Sequence, residues 1–222
     1  MKRAAEGDAT VDVFWSMRSP FCYLALDRLI ALQTEWRVRV QIRVVYPVAI
    51  RNPDFFRTAP KHYRPYHLLD SKRVAEFHGI PYRRPIPDPI VQNLETSTIA
   101  EEQPYIHELT RLAAAAQLQD RALEFQHQVM RTIWDGSVDN WHEGTHLADA
   151  IERSGLDAPA LIADVRAQPE RFNAVIEANQ TAQAAAGHGG VPLFVFDGEP
   201  FFGQDRFELL KWRIQQSGVA AR

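Results

Sequence analysis

Ser19-Pro20-Phe21-Cys22 decides how this chain is read. The stretch follows an apolar run, Val11-Asp12-Val13-Phe14-Trp15, and opens a helical pattern that begins at Tyr23. Strand, tight turn, then helix is the setting of a C-x-x-C redox motif, and here serine holds the first position. Serine cannot form a disulfide, so the redox reading loses its attacking atom. Its hydroxyl can still hydrogen-bond a thiolate supplied by another molecule. Proline suits the first helical turn, where its missing N–H would be unpaired anyway. Helix capping alone also selects serine there, so a capping role and a catalytic role stand side by side at this point.

Outward from this turn the pattern is strand, helix, strand. Val11–Ser16 is rich in β-formers, and Tyr23–Glu35 places Leu24, Leu26, Leu29, Ile30 and Leu32 near helical spacing. Arg37–Tyr46 alternates, with Val38, Val40, Ile42 and Val44 facing one way and Arg39, Gln41 and Arg43 the other. Pro47 and Pro53 then break regular structure. From Ala59 to Ala186 no convincing strand is read. Helices are expected over Tyr66–His78, Thr96–Gln119, Arg121–Trp134, His142–Ser154, Ala158–Ala167 and Pro169–Ala186. The β pattern returns at Pro192–Phe196, with Asp197-Gly198 as a hairpin turn before Glu199–Phe202. A last helix carries Phe207, Leu209, Leu210, Trp212 and Ile214. This order predicts an α/β chain: a thioredoxin-like fold over residues 9–55 and 186–218, with an all-helical domain, 56–185, inserted in it.

Composition sets the outer limits. The 222 residues are 45% hydrophobic and 24% charged, ample for a core. A net charge of −3 marks no nucleic-acid binder. Lys2 and Arg3 have no apolar stretch behind them, so no signal peptide is read. No apolar run approaches the roughly 20 residues that span a bilayer. One cysteine excludes an internal disulfide, and the expectation is a cytoplasmic protein without membrane partners.

Two distant segments resemble one family. Ser19-Pro20-Phe21-Cys22-Tyr23-Leu24-Ala25 is similar to the signature of the kappa-class glutathione transferases and of their relatives, the 2-hydroxychromene-2-carboxylate isomerases. Gly190-Val191-Pro192 to Phe194, then Asp197-Gly198-Glu199-Pro200-Phe201-Phe202-Gly203-Gln204-Asp205-Arg206, looks closer to the isomerases. The likeness runs from about Val11 to Trp212. It implies a DsbA-like fold, glutathione as cofactor, a small aromatic or electrophilic substrate and a homodimer. It also implies Ser19 as the catalytic serine. Val191 matches the residue before a cis-proline, Pro192, whose backbone pairs with the cysteinyl unit of glutathione. Gln204, Asp205 and Arg206 match positions at the γ-glutamyl end, and Asn52 and Lys61 positions beside the bound peptide. Arg18, where an apolar residue is common, and His188-Gly189, where a bulkier pair is common, depart from the pattern.

The chemistry is compatible with these roles. A free thiol has a pKa of about 8.5, and lowering it by about two units needs roughly 2.7 kcal/mol. A helix N-terminus supplies about 0.3–2 kcal/mol, so the Ser19 hydroxyl has to add to it. The expected activity is glutathione-dependent isomerisation of an aromatic-catabolism intermediate. Glutathione conjugation, DsbA-like thiol–disulfide exchange and non-catalytic peptide binding are the alternatives. Cys22 sits where the second, buried cysteine of a C-x-x-C pair would be, which favours packing over catalysis. His142-Glu143-Gly144-Thr145-His146 matches H-E-x-x-H in letters. Gly144 weakens helix there, and no metal site is expected.

Overall fold

Val11, Val13, Phe14 and Trp15 are all buried, as the residues of an inner strand must be. In the computed structural model, which describes residues 7–222, they form β1 (Ala9–Trp15). Lys2 and Arg3, read above for a leader, lie outside the described residues. α1 (Pro20–Glu35) crosses over to β2 (Val38–Val44), whose valines and Ile42 are buried while Arg39, Gln41 and Arg43 are half-exposed. Two short turns of helix follow, α2 (Val48–Arg51) and α3 (Phe55–Thr58), and then α4 (Tyr63–His78), closed by Gly79 in the left-handed region.

The middle of the chain departs from the expectation in three places. A two-stranded ribbon, β3 (Gln92–Asn93) and β4 (Thr98–Ile99), occupies part of the stretch read as strandless. The helix expected from Thr96 begins ten residues later, as α5 (Ile106–Leu118). The cause is local. The Asn93 side chain accepts from the N–H groups of Glu95 and Thr96, at 2.9 and 3.0 Å, and side-chain turns of this kind compete with helix. α6 (Ala122–Trp134) runs as expected, whereas α7 (His146–Arg153) starts late because Gly144 has φ +57°. α8 (Ala158–Ala167) opens on an Asp157 cap and is followed by α9 (Pro169–Ala185).

β5 (Leu193–Phe196) and β6 (Glu199–Phe202) form the final hairpin, with α10 (Phe207–Gln216) behind them. Asp197 and Gly198 turn it with φ of 50° and 78°, the left-handed pair that matches strand twist. The sheet order is β2-β1-β5-β6, with β1 parallel to β2 and antiparallel to β5. One continuous cluster of buried residues joins the sheet to α1, α5, α6, α8 and α9. Phe14, Val45 and Leu193 form a second, small cluster on the other face, under Ala182 and Ala186. Among the described residues no helix is long and apolar enough to cross a membrane.

Phe194 tests this core. It is fully buried on β5 and meets Phe207 edge-on at 5.9 Å. Phe194→Ala is expected to cost about 3–5 kcal/mol in urea denaturation. Leu209→Ala, on the exposed side of α10, should change stability by less than about 0.5 kcal/mol. Equal losses would contradict the packing described.

Candidate active site

Ser19 caps α1 from an extended backbone (φ −95°, ψ 118°), and its Oγ accepts from the Cys22 N–H at 3.3 Å. The turn is held on both flanks. Ser19 N–H donates to the Ser16 carbonyl at 3.1 Å, and the Trp134 indole N–H donates to the Met17 carbonyl at 3.2 Å. Oγ thus accepts one backbone bond while its hydroxyl also hydrogen-bonds the Cys22 thiol below it.

The partner across the cleft is set by the sheet. Phe14 on β1 is paired with Leu193 on β5, so the chain leaving β1 and the chain entering β5 share one end of the sheet. The Val191–Pro192 bond just before β5 is cis. Neither the N–H nor the C=O of Val191 has a protein partner among the described residues. The glycine loop ahead of it is tied down. Arg51 Nη2 donates to the Gly189 carbonyl at 2.8 Å while its Nε donates to the Tyr46 carbonyl at 2.8 Å. Gln183 Nε2 donates to the Gly190 carbonyl at 2.8 Å. Gly190 leaves room for the Phe202 ring, which stacks on His188 with centroids 3.8 Å apart.

Ser19 and Val191 line one cleft of about 370 Å³, within the range of small-molecule sites. Its walls are largely aromatic: Phe21, Phe55, Phe56, Tyr63 and His67, with His188 and Phe202 as a second group. Phe55 packs edge-on against Phe56 and Tyr63, and Phe21 against His67. Burial and then the charges of Arg18 and Arg84 push His67 down to about 4, so it is neutral at pH 7.

Cys22 is no nucleophile in this setting. It is fully buried, and burial pushes its thiol up to about 12 despite hydrogen bonds from Ser16 and Ser19. Arg18, the residue before the cap, donates to both Asp88 carboxylate oxygens through Nε and Nη2, at 3.1 and 2.8 Å. Arg84 donates to the same carboxylate at 2.7 Å. Burial raises the Asp88 carboxyl, but the two arginines and the Ile90 N–H outweigh it, and the group sits below its ordinary range.

The other expected residues are placed differently. Gln204 is buried, and its side-chain carbonyl accepts from Arg28. Asp205 is exposed and pairs with Arg206 at 3.1 Å. Asn52 and Lys61 are exposed, and none of these five lines the cleft. The cleft therefore brings together Ser19 and Val191 and leaves those five residues outside it. Arg51, Phe55, Phe56, Tyr63 and His67 went unread as site residues. Only the density of aromatic residues between Phe55 and His67 hinted at them. His142 lies outside α7, packed on Tyr105 and Trp141, so it shares no helical turn with His146. Among the described residues no group of three metal-ligating side chains converges.

A mixed sheet with its first helix starting at the site, a cis-proline entering the third sheet strand and helices inserted between is a DsbA-like thioredoxin fold. Residues 10–215 match the DSBA-like thioredoxin domain, and the chain belongs to that family. Its structure is similar to that of a 2-hydroxychromene-2-carboxylate isomerase (TM-score 0.68, 20% identity, 93% of this chain and 95% of that one). It is also similar to a probable DsbA oxidoreductase from Streptomyces coelicolor (TM-score 0.64, 19% identity, 94% and 89%). A third likeness is the cytosolic disulfide reductase DsbM from Pseudomonas aeruginosa with GSH (TM-score 0.56, 16% identity, 93% and 99%). At these identities the likeness establishes the fold. No curated protein matches the chain.

Two outcomes follow from the geometry. Iodoacetamide should label Cys22 in the denatured chain and leave the native protein unmodified; rapid native labelling would place the thiol at the surface. His67 has a folded value of about 4 against an ordinary 6.5, so between these the unfolded chain binds more protons. Stability should therefore fall as pH drops from 6.5 to about 4. His67→Gln should flatten that part of the urea-stability profile, and a slope equal to the wild type's would contradict the assignment.

Proposed function

We propose that this chain is a glutathione-dependent isomerase of the 2-hydroxychromene-2-carboxylate isomerase type, acting on an aromatic-catabolism intermediate. One observation carries the reading: a serine, not a cysteine, caps α1 and lines an aromatic cleft together with the unpaired backbone of Val191. Glutathione, when bound, supplies a thiolate that adds reversibly to a conjugated double bond and leaves unchanged once the bond has rotated. The chain's part is to hold that sulfur ionised and the acceptor in place. Ser19 Oγ turns its proton from the neutral Cys22 thiol to the ligand sulfur, and the first N–H groups of α1 add their partial positive charge. Val191 offers a donor and an acceptor to an extended peptide. Phe55, Phe56 and Tyr63 exclude water and give a planar conjugated acceptor flat surfaces to lie on. A homodimer, which the sequence resemblance implies, and a cytoplasmic setting, expected from the single cysteine, belong to the same reading.

Thiol–disulfide exchange, the activity of the similar DsbA oxidoreductase and DsbM reductase, finds little support in these residues. The only thiol is buried and held near 12, and no second cysteine exists to resolve a mixed disulfide. Glutathione conjugation differs from isomerisation in its products, since it consumes the thiol.

With glutathione and a hydroxychromene carboxylate, turnover should change the acceptor's spectrum and leave the glutathione concentration constant. Ser19→Ala removes a hydrogen bond to a charged atom, worth about 1.5–3 kcal/mol. The expected loss in kcat is roughly 10- to 100-fold, whereas Cys22→Ala should retain activity. Consumption of glutathione would move the assignment to a transferase, and full activity in Ser19→Ala would sink it.

A further inference from the structure

Beside the cleft lies a second, smaller space of about 20 Å³, the room of one water or one carboxylate oxygen. Arg18, Pro20, Phe56 and His67 line both spaces, so the two adjoin. Arg64 and Arg84 complete the polar wall of the smaller one. The three arginines come from separate parts of the chain: the turn before α1, the first turn of α4, and the segment between α4 and β3. Like charges brought together this way need an anion, and the chain provides one carboxylate. Asp88 takes bonds from Arg18 and Arg84, and no described acidic group bonds Arg64. Arg64 donates through Nη2 to the Gln92 side-chain carbonyl at 3.1 Å, while its Nη1 is buried with no partner. His67 is neutral and adds no charge, and Asp70 acts on it only through space.

We infer that Arg18, Arg64 and Arg84 form a carboxylate subsite of the cleft, with Asp88 as its resident counter-ion and Arg64 as the residue that engages the ligand. Asp88 holds the Arg18 and Arg84 forks in place, and three cations around one anion leave an excess of positive charge. A carboxylate oxygen at Arg64 Nη1 satisfies the orphaned donor and balances part of that excess. The carboxylate has two possible sources: the C-terminal glycine of a bound thiol peptide, or the acceptor itself. The inference rests on the cleft being the ligand site proposed above, yet its test reads binding and needs no turnover.

Trp134 lines the smaller space and reports on it by fluorescence. Two ligand pairs separate the sources: cinnamate against cinnamamide, and glutathione against its C-terminal glycinamide, which lacks the glycyl carboxylate. Wild-type protein should bind the carboxylate member of at least one pair about tenfold or more tightly, the minimum for one charge-assisted hydrogen bond. The pair that shows the preference names the source. R64M should abolish the preference and R64K should restore part of it. Lys72→Met, which removes a charge from the exposed side of the same helix, should change nothing. If R64M does not fold, R84M is read the same way. If neither folds, the wild-type comparison decides. No preference in either pair, or a preference that survives R64M, overturns the subsite. Failure of glutathione-dependent isomerisation would leave these binding ratios untouched, so the two readings fail separately.

Discussion

β1 is paired on both edges, and everything about the site depends on that. Its parallel register with β2 runs from Ala9↔Val38 to Trp15↔Val44 and obliges α1 to start just past the end of β1. Its antiparallel register with β5 brings a segment some 180 residues further on to the same end. Two loops of different origin therefore meet there. One exposes a helix N-terminus and a hydroxyl, the other a backbone donor and acceptor. The long helical excursion between them is tolerated because its helices share one core with the sheet. The entropy of closing so long a loop grows only slowly with its length.

Cys22 sits at the start of α1, yet the helix end does not ionise it. Cys22 faces inward, and desolvation outweighs both hydrogen bonds it receives, so its thiol stays protonated. Under the proposed reading, a ligand thiol in the cleft would meet the same positive helix end while keeping contact with solvent, one residue from Arg18, so that burial and not the cap would decide which sulfur ionises.

Much of the fold could be read locally. The alternation of Val38 to Val44, the Asp197-Gly198 turn and the helix starts at Ser19-Pro20 and Asp157-Ala158-Pro159 each follow from a few neighbouring residues. Errors arose where local chemistry competed with periodicity. The Asn93 turn won over the helical pattern from Thr96, and Gly144 delayed α7. The site was less legible. That Ser19 and Val191 line one cleft follows from backbone positions with a sequence signature, whereas the bond from Arg28 to the Gln204 side chain has no local signal.

Residue types and their spacing alone determined the class of chain, the serine in place of the redox cysteine, and the positions of the turns that flank the cleft. These are properties of short segments, set by sterics, capping and hydrophobic period. Tertiary structure alone decided which side chains face the cleft. It gathered Arg18, Arg64, Arg84 and Asp88 from three segments, held Arg51 against the loop before Val191, and turned Gln204 and Asp205 away. Charge and aromatic contacts act through space, and the distances that govern them exist only once the sheet has closed.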